Sequence, residues 1–390
     1  MTAPTGKKTR GINTQLAHGG YEPRDFHGFV NPPVVHASTV LFPDAQTMKT
    51  RNQKYTYGTR GTPTSDALCS AVDALEGSAG TIAVPSGLAA VTVPLLAFLS
   101  AGDHALFVDT IYNPTRRFAD TMLARLGVEV EYYEPEIGSD IAKYIKPNTK
   151  VVFTESPGSN TFEMQDIPAI VEVAKAAGAV TMLDNTWATP LYFKPLDFGI
   201  DISIHAATKY PAGHSDILLG TVSANERCWQ QLWDAYLTLG TPAGPDDAYQ
   251  VLRGLRTMGV RLERHQESAL EIARWLESRQ GVKSVLHPAL ESHPGHAIWK
   301  RDFSGASGIF SFVLEGGDAQ AEAFLDALDI FGLGYSWGGY ESLAVQVYLG
   351  DRTVSTRDYG GAVMRLQIGL EDASDLIDDI AAGLEAAHRV

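Results

Sequence analysis

Short apolar runs that alternate with helical patterns constrain the fold of this chain more than any other feature. Amphipathic stretches at 87–99, 115–126, 167–177 and 226–239 separate most of these runs from one another. Strands that are apolar on both faces and are linked by helices form a mostly parallel sheet covered on both sides. The sequence therefore predicts an α/β fold, with strands at 81–84, 104–109, 128–134, 151–155, 180–184, 202–205 and 218–223.

The patterns on either side of this region predict three parts. Residues 1–60 are rich in Gly, Pro, His and Tyr with little periodicity, as is typical of an extended arm that crosses a neighbouring subunit. Residues 61–254 form the predicted α/β domain. A long helical pattern at 246–279 leads into residues 255–390, where strand and helix patterns mix. We expect a smaller α+β domain there.

Composition narrows the class of protein. The chain has 31 basic and 46 acidic residues, a formal net charge of −15, which argues against a nucleic-acid partner. The most apolar stretch, 91–99, contains Pro94 and is too short to cross a membrane, and no apolar run follows the basic residues at the start. Two cysteines do not suggest a disulfide framework. We expect a soluble, cytoplasmic protein.

Lys209 is the first candidate for chemistry. It follows an apolar strand and lies in a turn that contains Pro211, Gly213 and His214. The carboxyl edge of such a sheet is where α/β proteins bind ligands, and burial there lowers the pKa of an amine, which suits Schiff-base and base chemistry. A surface lysine that happens to follow a strand is the alternative.

Two further strand ends carry polar groups. Asp184 ends the run 180–184 and would pair there with a cation such as a pyridinium nitrogen, or else act as a helix cap or a Mg²⁺ ligand. Ser86 and Gly87 lie between a strand and a helix, where free N–H groups bind anions, although a plain helix cap has the same pattern. Each feature is weak alone, but together they predict one site at the ends of three strands.

The string 201–215, which contains Thr208-Lys209-Tyr210, resembles the lysine signature of the pyridoxal-phosphate (PLP) enzymes of cysteine and methionine metabolism, the transsulfuration family. The resemblance runs from the arm to the end of the chain, and it implies the aminotransferase-like fold type I. Further matching strings lie at 57–62, 155–159, 254–261, 299–303, 335–342 and 364–371.

The resemblance implies a role for individual residues. Lys209 would form the Schiff base with PLP and act as the base, and Asp184 would face the pyridinium nitrogen. Arg365 would hold the carboxylate of an amino-acid substrate, with surface ion pairing as the alternative. The other residues implied in cofactor or substrate binding are Ser86, Gly87, Leu88 and Thr208 at the phosphate, Tyr112 at the ring, and Tyr335, Ser336 and Trp337 at the substrate. No metal site is predicted.

The arm would contribute in trans. By the same resemblance, Tyr57 would reach the phosphate of a neighbouring subunit, which implies a homo-oligomer, a tetramer built as a dimer of dimers. Much of the family carries an arginine two residues after this tyrosine, where this chain has Thr59 followed by Arg60. Either Arg60 takes over that contact or the contact is lost.

The reaction depends on residues 335–337. Family members that act at Cγ tend to carry a glutamate in place of Tyr335 and a small or aliphatic residue in place of Trp337. An apolar aromatic wall fits the simpler β-elimination. We therefore expect cleavage of L-cystathionine to homocysteine, pyruvate and ammonia, and a similar cleavage of related cysteine S-conjugates to their thiols. A γ-acting transsulfuration enzyme is the main alternative, and a non-catalytic PLP or amino-acid binding protein is a remote one.

Overall fold

The computed structural model describes residues 10–390. The first part of the described chain has little regular structure. It contains the helices α1 (Ile12–His18) and α2 (Ala45–Thr50) and the 3-10 turns Pro23–Phe26 and Gly58–Arg60. Phe29, Val30 and Leu41 in this arm are 69%, 74% and 85% exposed, so they add little to the core of their own chain.

Seven strands form the main sheet in the order β1-β7-β6-β5-β4-β2-β3. Neighbouring strands from β3 to β6 in this order are parallel, whereas β7 is antiparallel to both β6 and β1. Every residue of β1, β2 and β7 is buried, as expected for strands covered on both faces. The predicted strands are confirmed, with bounds β1 (Gly80–Val84), β2 (His104–Val108), β3 (Glu129–Tyr133), β4 (Thr149–Glu155), β5 (Val180–Asp184), β6 (Ile202–His205) and β7 (Gly220–Ala224).

Helices connect and cover these strands. They are α3 (Pro63–Glu76), α4 (Gly87–Phe98), α5 (Asn113–Phe118), α6 (Ile167–Ala176), α7 (Thr189–Tyr192) and α8 (Glu226–Leu239), with 3-10 turns at Gly138–Tyr144 and Pro195–Phe198. The single helix predicted at 115–126 begins earlier, at Asn113, because Pro114 occupies the first turn, and it continues as a π-helical segment, Ala119–Leu123.

A second sheet follows the 32-residue helix α9 (Pro245–Leu276). Its order is β10-β11-β12-β9-β8, with α12 and α11 packed together beside it. Its elements are β8 (Val282–Leu286), α10 (His296–Asp302), β9 (Ile309–Leu314), α11 (Asp318–Asp326), β10 (Gly332–Leu333), β11 (Leu343–Val347), β12 (Ala362–Gln367) and α12 (Ala373–His388). The sequence patterns did not predict β8, α10 or the two-residue strand β10.

Helix α9 contacts α1 and α3 on the side of the first sheet, and α12, β8 and β9 on the side of the second. The division into 1–60, 61–254 and 255–390 stays a prediction, since residue 254 lies inside this helix. Within residues 10–390, none of the helices combines the length and apolar character needed to cross a bilayer.

Candidate active site

A chamber of about 250 Å³ lies where β4, β5 and β6 end, and residues of the second sheet close it from the other side. Parallel strands bring their carboxyl ends to one edge, so residues distant in sequence meet there. Most of the predicted site residues line this chamber: Ser86, Gly87, Leu88, Tyr112, Asp184, Thr208, Lys209, Trp337 and Arg365.

Lys209 follows β6 and extends its side chain into the chamber. Its Nζ donates a hydrogen bond to the Ser336 Oγ at 2.6 Å and lies 5.3 Å from the centre of the Trp337 ring. Burial, and then the nearby charge of Arg365, lower the pKa of Lys209 to about 8, against the opposing effect of Asp184. A substantial fraction of this amine is therefore neutral, and nucleophilic, near pH 8.

Asp184 is the last residue of β5. Its Oδ1 accepts hydrogen bonds from the Thr186 N–H at 3.0 Å and from the Thr186 hydroxyl at 2.5 Å, which leaves Oδ2 for a group in the chamber. Burial raises the pKa of Asp184, although the Thr186 bonds and the charges of His205 and Lys209 oppose this. A buried carboxyl group in this position is stabilised by a cationic partner.

The first turn of α4 forms an anion seat beside the chamber. The Ser86 Oγ caps this helix by accepting from the Ala89 N–H at 3.1 Å, so the N–H groups of Gly87 and Leu88 remain available. Position 87 needs glycine, since a Cβ there would lie 2.5 Å from the Cβ of Ala206. The Thr208 hydroxyl bonds the backbone of Leu219, at 3.1 Å from its nitrogen and 3.3 Å from its oxygen.

Arg365 comes from β12 and Tyr112 from the turn before α5. The Arg365 Nη1 donates to the Asn160 Oδ1 at 3.0 Å, an amide partner that leaves the charge available for a carboxylate. Burial lowers the pKa of Arg365 and raises the pKa of Tyr112. The site thus holds a fixed guanidinium and a neutral phenol.

Four predicted residues lie outside the chamber wall. Tyr57 and Arg60 are in the arm, where Tyr57 is 50% exposed. Tyr335 is 89% exposed, and Ser336 reaches the site only through its hydrogen bond with Lys209. Ser336 has φ +80°, a left-handed conformation that is strained for a residue with a side chain.

Glu155 and Asn160 are among the polar residues of the wall that the sequence reasoning missed. Glu155 ends β4 as Asp184 ends β5, and it accepts a hydrogen bond from the Tyr112 N–H at 2.8 Å. The rule that singled out Asp184, an acid at the end of an apolar strand, would have found Glu155. Asn160 has a positive φ of 69° in an irregular loop, and no local pattern marks it.

The groups that line the chamber match the chemical groups of PLP. It offers an amine that is partly neutral near pH 8, a carboxyl oxygen of Asp184 without a hydrogen-bond donor, and a helix N-terminus of the kind that binds phosphate. These are the groups that a Schiff base, a pyridinium nitrogen and a phosphate ester require.

Comparisons with known proteins agree with a PLP site in this chamber. The family model described as Cys/Met metabolism PLP-dependent enzyme matches residues 13–385. A Rhizobium johnstonii protein, whose name gives cystathionine beta-lyase as a provisional assignment, is 69% identical over 97% of both chains. The cystathionine beta-lyase MetC of Escherichia coli is 45% identical, over 95% of this chain and 98% of its own.

The fold agrees as well. A solved structure of cystathionine gamma synthase from Xanthomonas oryzae pv. oryzae, in complex with cystathionine, superposes with a TM-score of 0.92 at 34% identity, over 98% of this chain and 100% of the other. The predicted fold type I is therefore confirmed. On the match of the family model and these identities, the chain belongs to the PLP-dependent enzymes of cysteine and methionine metabolism.

Proposed function

We propose that this chain is a PLP-dependent carbon–sulfur lyase that cleaves the Cβ–S bond of L-cystathionine. Water is consumed, and homocysteine, pyruvate and ammonia are released. One observation carries the proposal: Lys209, Asp184 and the start of α4 line a single chamber. The full-length relatives named cystathionine beta-lyase support the choice of substrate.

PLP, when bound, supplies an electron-withdrawing ring that makes the Cα–H bond of the attached amino acid acidic. Asp184 would keep the ring nitrogen protonated through Oδ2, the oxygen that Thr186 leaves without a bond. The N–H groups of Gly87 and Leu88 would hold the phosphate. The Thr208 hydroxyl lies in the same wall of the chamber.

Arg365 would bind the α-carboxylate of the substrate. Its guanidinium is held by Asn160 and offers a planar pair of donors, which fixes the orientation of Cα. Ser336, bonded to Lys209, would lie beside that carboxylate.

Lys209 would take the proton from Cα. With a pKa of about 8, substantial fractions of the amine are neutral and protonated near that pH, so it can accept a proton and return it. Trp337 lies 5.3 Å from its Nζ and forms an apolar side of the site. The leaving thiolate would take its proton from Lys209 or from Tyr112, whose raised pKa keeps the phenol protonated.

The wall around Lys209 favours β-elimination over γ-chemistry. A γ-acting enzyme moves extra protons and gains from a further carboxylate at the position that Tyr335 occupies in this chain. Trp337 lines the chamber here, and Tyr335 extends away from it. The γ-synthase of known structure is less identical, at 34%, than the relatives named as β-lyases, at 69% and 45%.

Product identification tests the proposal. Purified protein with PLP and L-cystathionine should release pyruvate and homocysteine, and Lys209→Ala should lower turnover by orders of magnitude. Release of 2-oxobutyrate and cysteine would show γ-chemistry instead. A protein that binds PLP without consuming cystathionine would favour the binding-protein alternative.

We further propose a homotetramer in which the arm of one subunit completes the site of another. Support comes from the exposed apolar residues of the arm and from the position of Tyr57 and Arg60 outside the chamber of their own chain. The proposed location is the cytoplasm, which cell fractionation would test.

Complementation tests this shared site. Tyr57→Ala and Lys209→Ala should each have low activity alone. After dissociation and reassociation, a mixture should regain up to about a quarter of wild-type activity, because half of the pairs carry one intact site. A mixture that never exceeds its components would place Tyr57 outside the neighbouring site.

A further inference from the structure

Two carboxyl groups share one wall of the chamber. Glu155 and Asp184 end the neighbouring parallel strands β4 and β5, and their Cα atoms are partners in the sheet register. Adjacent strands lie about 4.8 Å apart, and paired residues have their side chains on the same face of the sheet, so the two carboxyl groups are neighbours at this edge. Both residues line the chamber. The role described above for Asp184 leaves the second acid without a function.

The two acids have different hydrogen bonds. The Asp184 carboxylate accepts two bonds from Thr186, at 3.0 and 2.5 Å. Glu155 accepts one bond, from the Tyr112 N–H to Oε2 at 2.8 Å. More hydrogen-bond donors therefore stabilise a negative charge on Asp184 than on Glu155.

The charged groups around the two acids also favour ionisation of Asp184 over ionisation of Glu155. Lys209 and His205 favour the ionised form of Asp184. Glu155 faces Asp184, which disfavours its ionisation, and Arg352, which favours it. Two neighbouring acids whose charges repel do not both ionise easily, and the proton stays on the one whose charge is less well stabilised.

The protonation of Glu155 follows from this arrangement. Burial, and then the charge of Asp184, raise the pKa of Glu155 well above its ordinary value, against the opposing effects of the Tyr112 N–H and Arg352. This arrangement favours the protonated form of Glu155 and leaves the negative charge of the pair on Asp184.

The bond to Glu155 also fixes the turn that carries Tyr112. This turn begins α5, and a second bond, from the Asn113 Nδ2 to the Asp351 Oδ2 at 2.8 Å, holds its outer side. The Tyr112 side chain is 45% exposed, so packing alone constrains it weakly. Glu155 is the inner anchor of the turn.

We propose that Glu155 is a positioning residue of the cofactor site: as a neutral carboxylic acid it holds the Tyr112 turn over the chamber and leaves Asp184 as the single anion. The link to PLP rests on the proposed function, whereas the proton on Glu155 is a property of the protein alone.

The first test needs no cofactor or activity. Infrared spectra of the apoprotein at neutral pH should contain a carbonyl band from a protonated carboxyl group, and E155Q should lose it. The matched control is E163Q, which removes a buried glutamate that bonds Arg352 at 3.1 Å and the Tyr359 hydroxyl at 2.7 Å. E163Q should keep the band. A band unchanged in E155Q would overturn the proposal.

The second test measures PLP affinity. An amide replaces a neutral acid closely and can still accept from the Tyr112 N–H, so E155Q should bind PLP within about twofold of wild type. E155A lacks the acceptor and should bind about tenfold more weakly. Equal weakening in both variants would refute a neutral anchor.

Failure of the proposed function is a separate result. If wild-type protein leaves cystathionine intact while the infrared band depends on residue 155, the positioning role stands and the reaction assignment falls. If E155A does not fold, the infrared comparison of E155Q with wild type decides alone.

Discussion

The lowered pKa of Lys209 gives the most quantitative prediction. At a pKa of about 8, half of the amine is neutral at pH 8, compared with about 0.3% at its ordinary value of 10.5. Only the neutral amine attacks the aldehyde of PLP. Apoprotein should therefore form the visible absorbance band of the Schiff base at a rate that rises with pH and levels off above about 8.

Arg365→Met shows how much of this effect is electrostatic. Burial is the larger cause of the lowered pKa and Arg365 the smaller, so removing the charge of Arg365 should recover only part of the difference from 10.5. The midpoint of the rate should rise above 8, and a rise to about 9 would slow the reaction about fivefold at pH 8 and hardly at all at pH 10.5.

The assay is stopped-flow absorbance of apoprotein mixed with PLP, from pH 6.5 to 10.5. Arg365→Lys is the matched control, because it keeps the charge and should keep the midpoint near 8. A midpoint that is the same in wild type and Arg365→Met, with a rate lowered equally at every pH, would refute the electrostatic argument.

Two substitutions test the cofactor seat in equilibrium titrations with PLP. Gly87→Val adds a Cβ 2.5 Å from that of Ala206, so it should weaken PLP binding at least about tenfold; unchanged affinity would place the phosphate elsewhere. Asp184→Asn removes the charge that we propose pairs with the ring nitrogen of PLP, and it should weaken binding about tenfold or more, with a larger loss of turnover. Full turnover in Asp184→Asn would contradict the role of this carboxylate.

Much of the fold followed from the sequence because several strands of the main sheet are buried on both faces. Near-continuous apolar runs such as β2 and β5 are distinctive, and each was predicted to within one residue. The strand β8 has two exposed residues in five, and α10 is a short helix without buried residues, so neither has a strong periodic pattern.

The site was predictable where a residue follows an apolar strand. Lys209 and Asp184 satisfy this rule, and the chamber brings them together. Arg365 came only from family resemblance, because its distance from the first sheet depends on how the second sheet packs. Asn160 depends on a loop conformation with positive φ that no local pattern encodes.

Glu155 shows a different limit of prediction from the sequence. Its position at the end of β4 was visible in the sequence, but its raised pKa depends in part on the register that aligns it with Asp184. Such coupling between neighbouring strands is a property of the folded sheet.

Reductive trapping tests the central claim most directly. Borohydride reduction of the PLP-bound protein, followed by peptide mass spectrometry, should find the pyridoxyl group on Lys209 and on no other lysine. The label should disappear when Lys209 is replaced by alanine. A stable label on a different lysine, or a visible Schiff base in the alanine variant, would contradict the account.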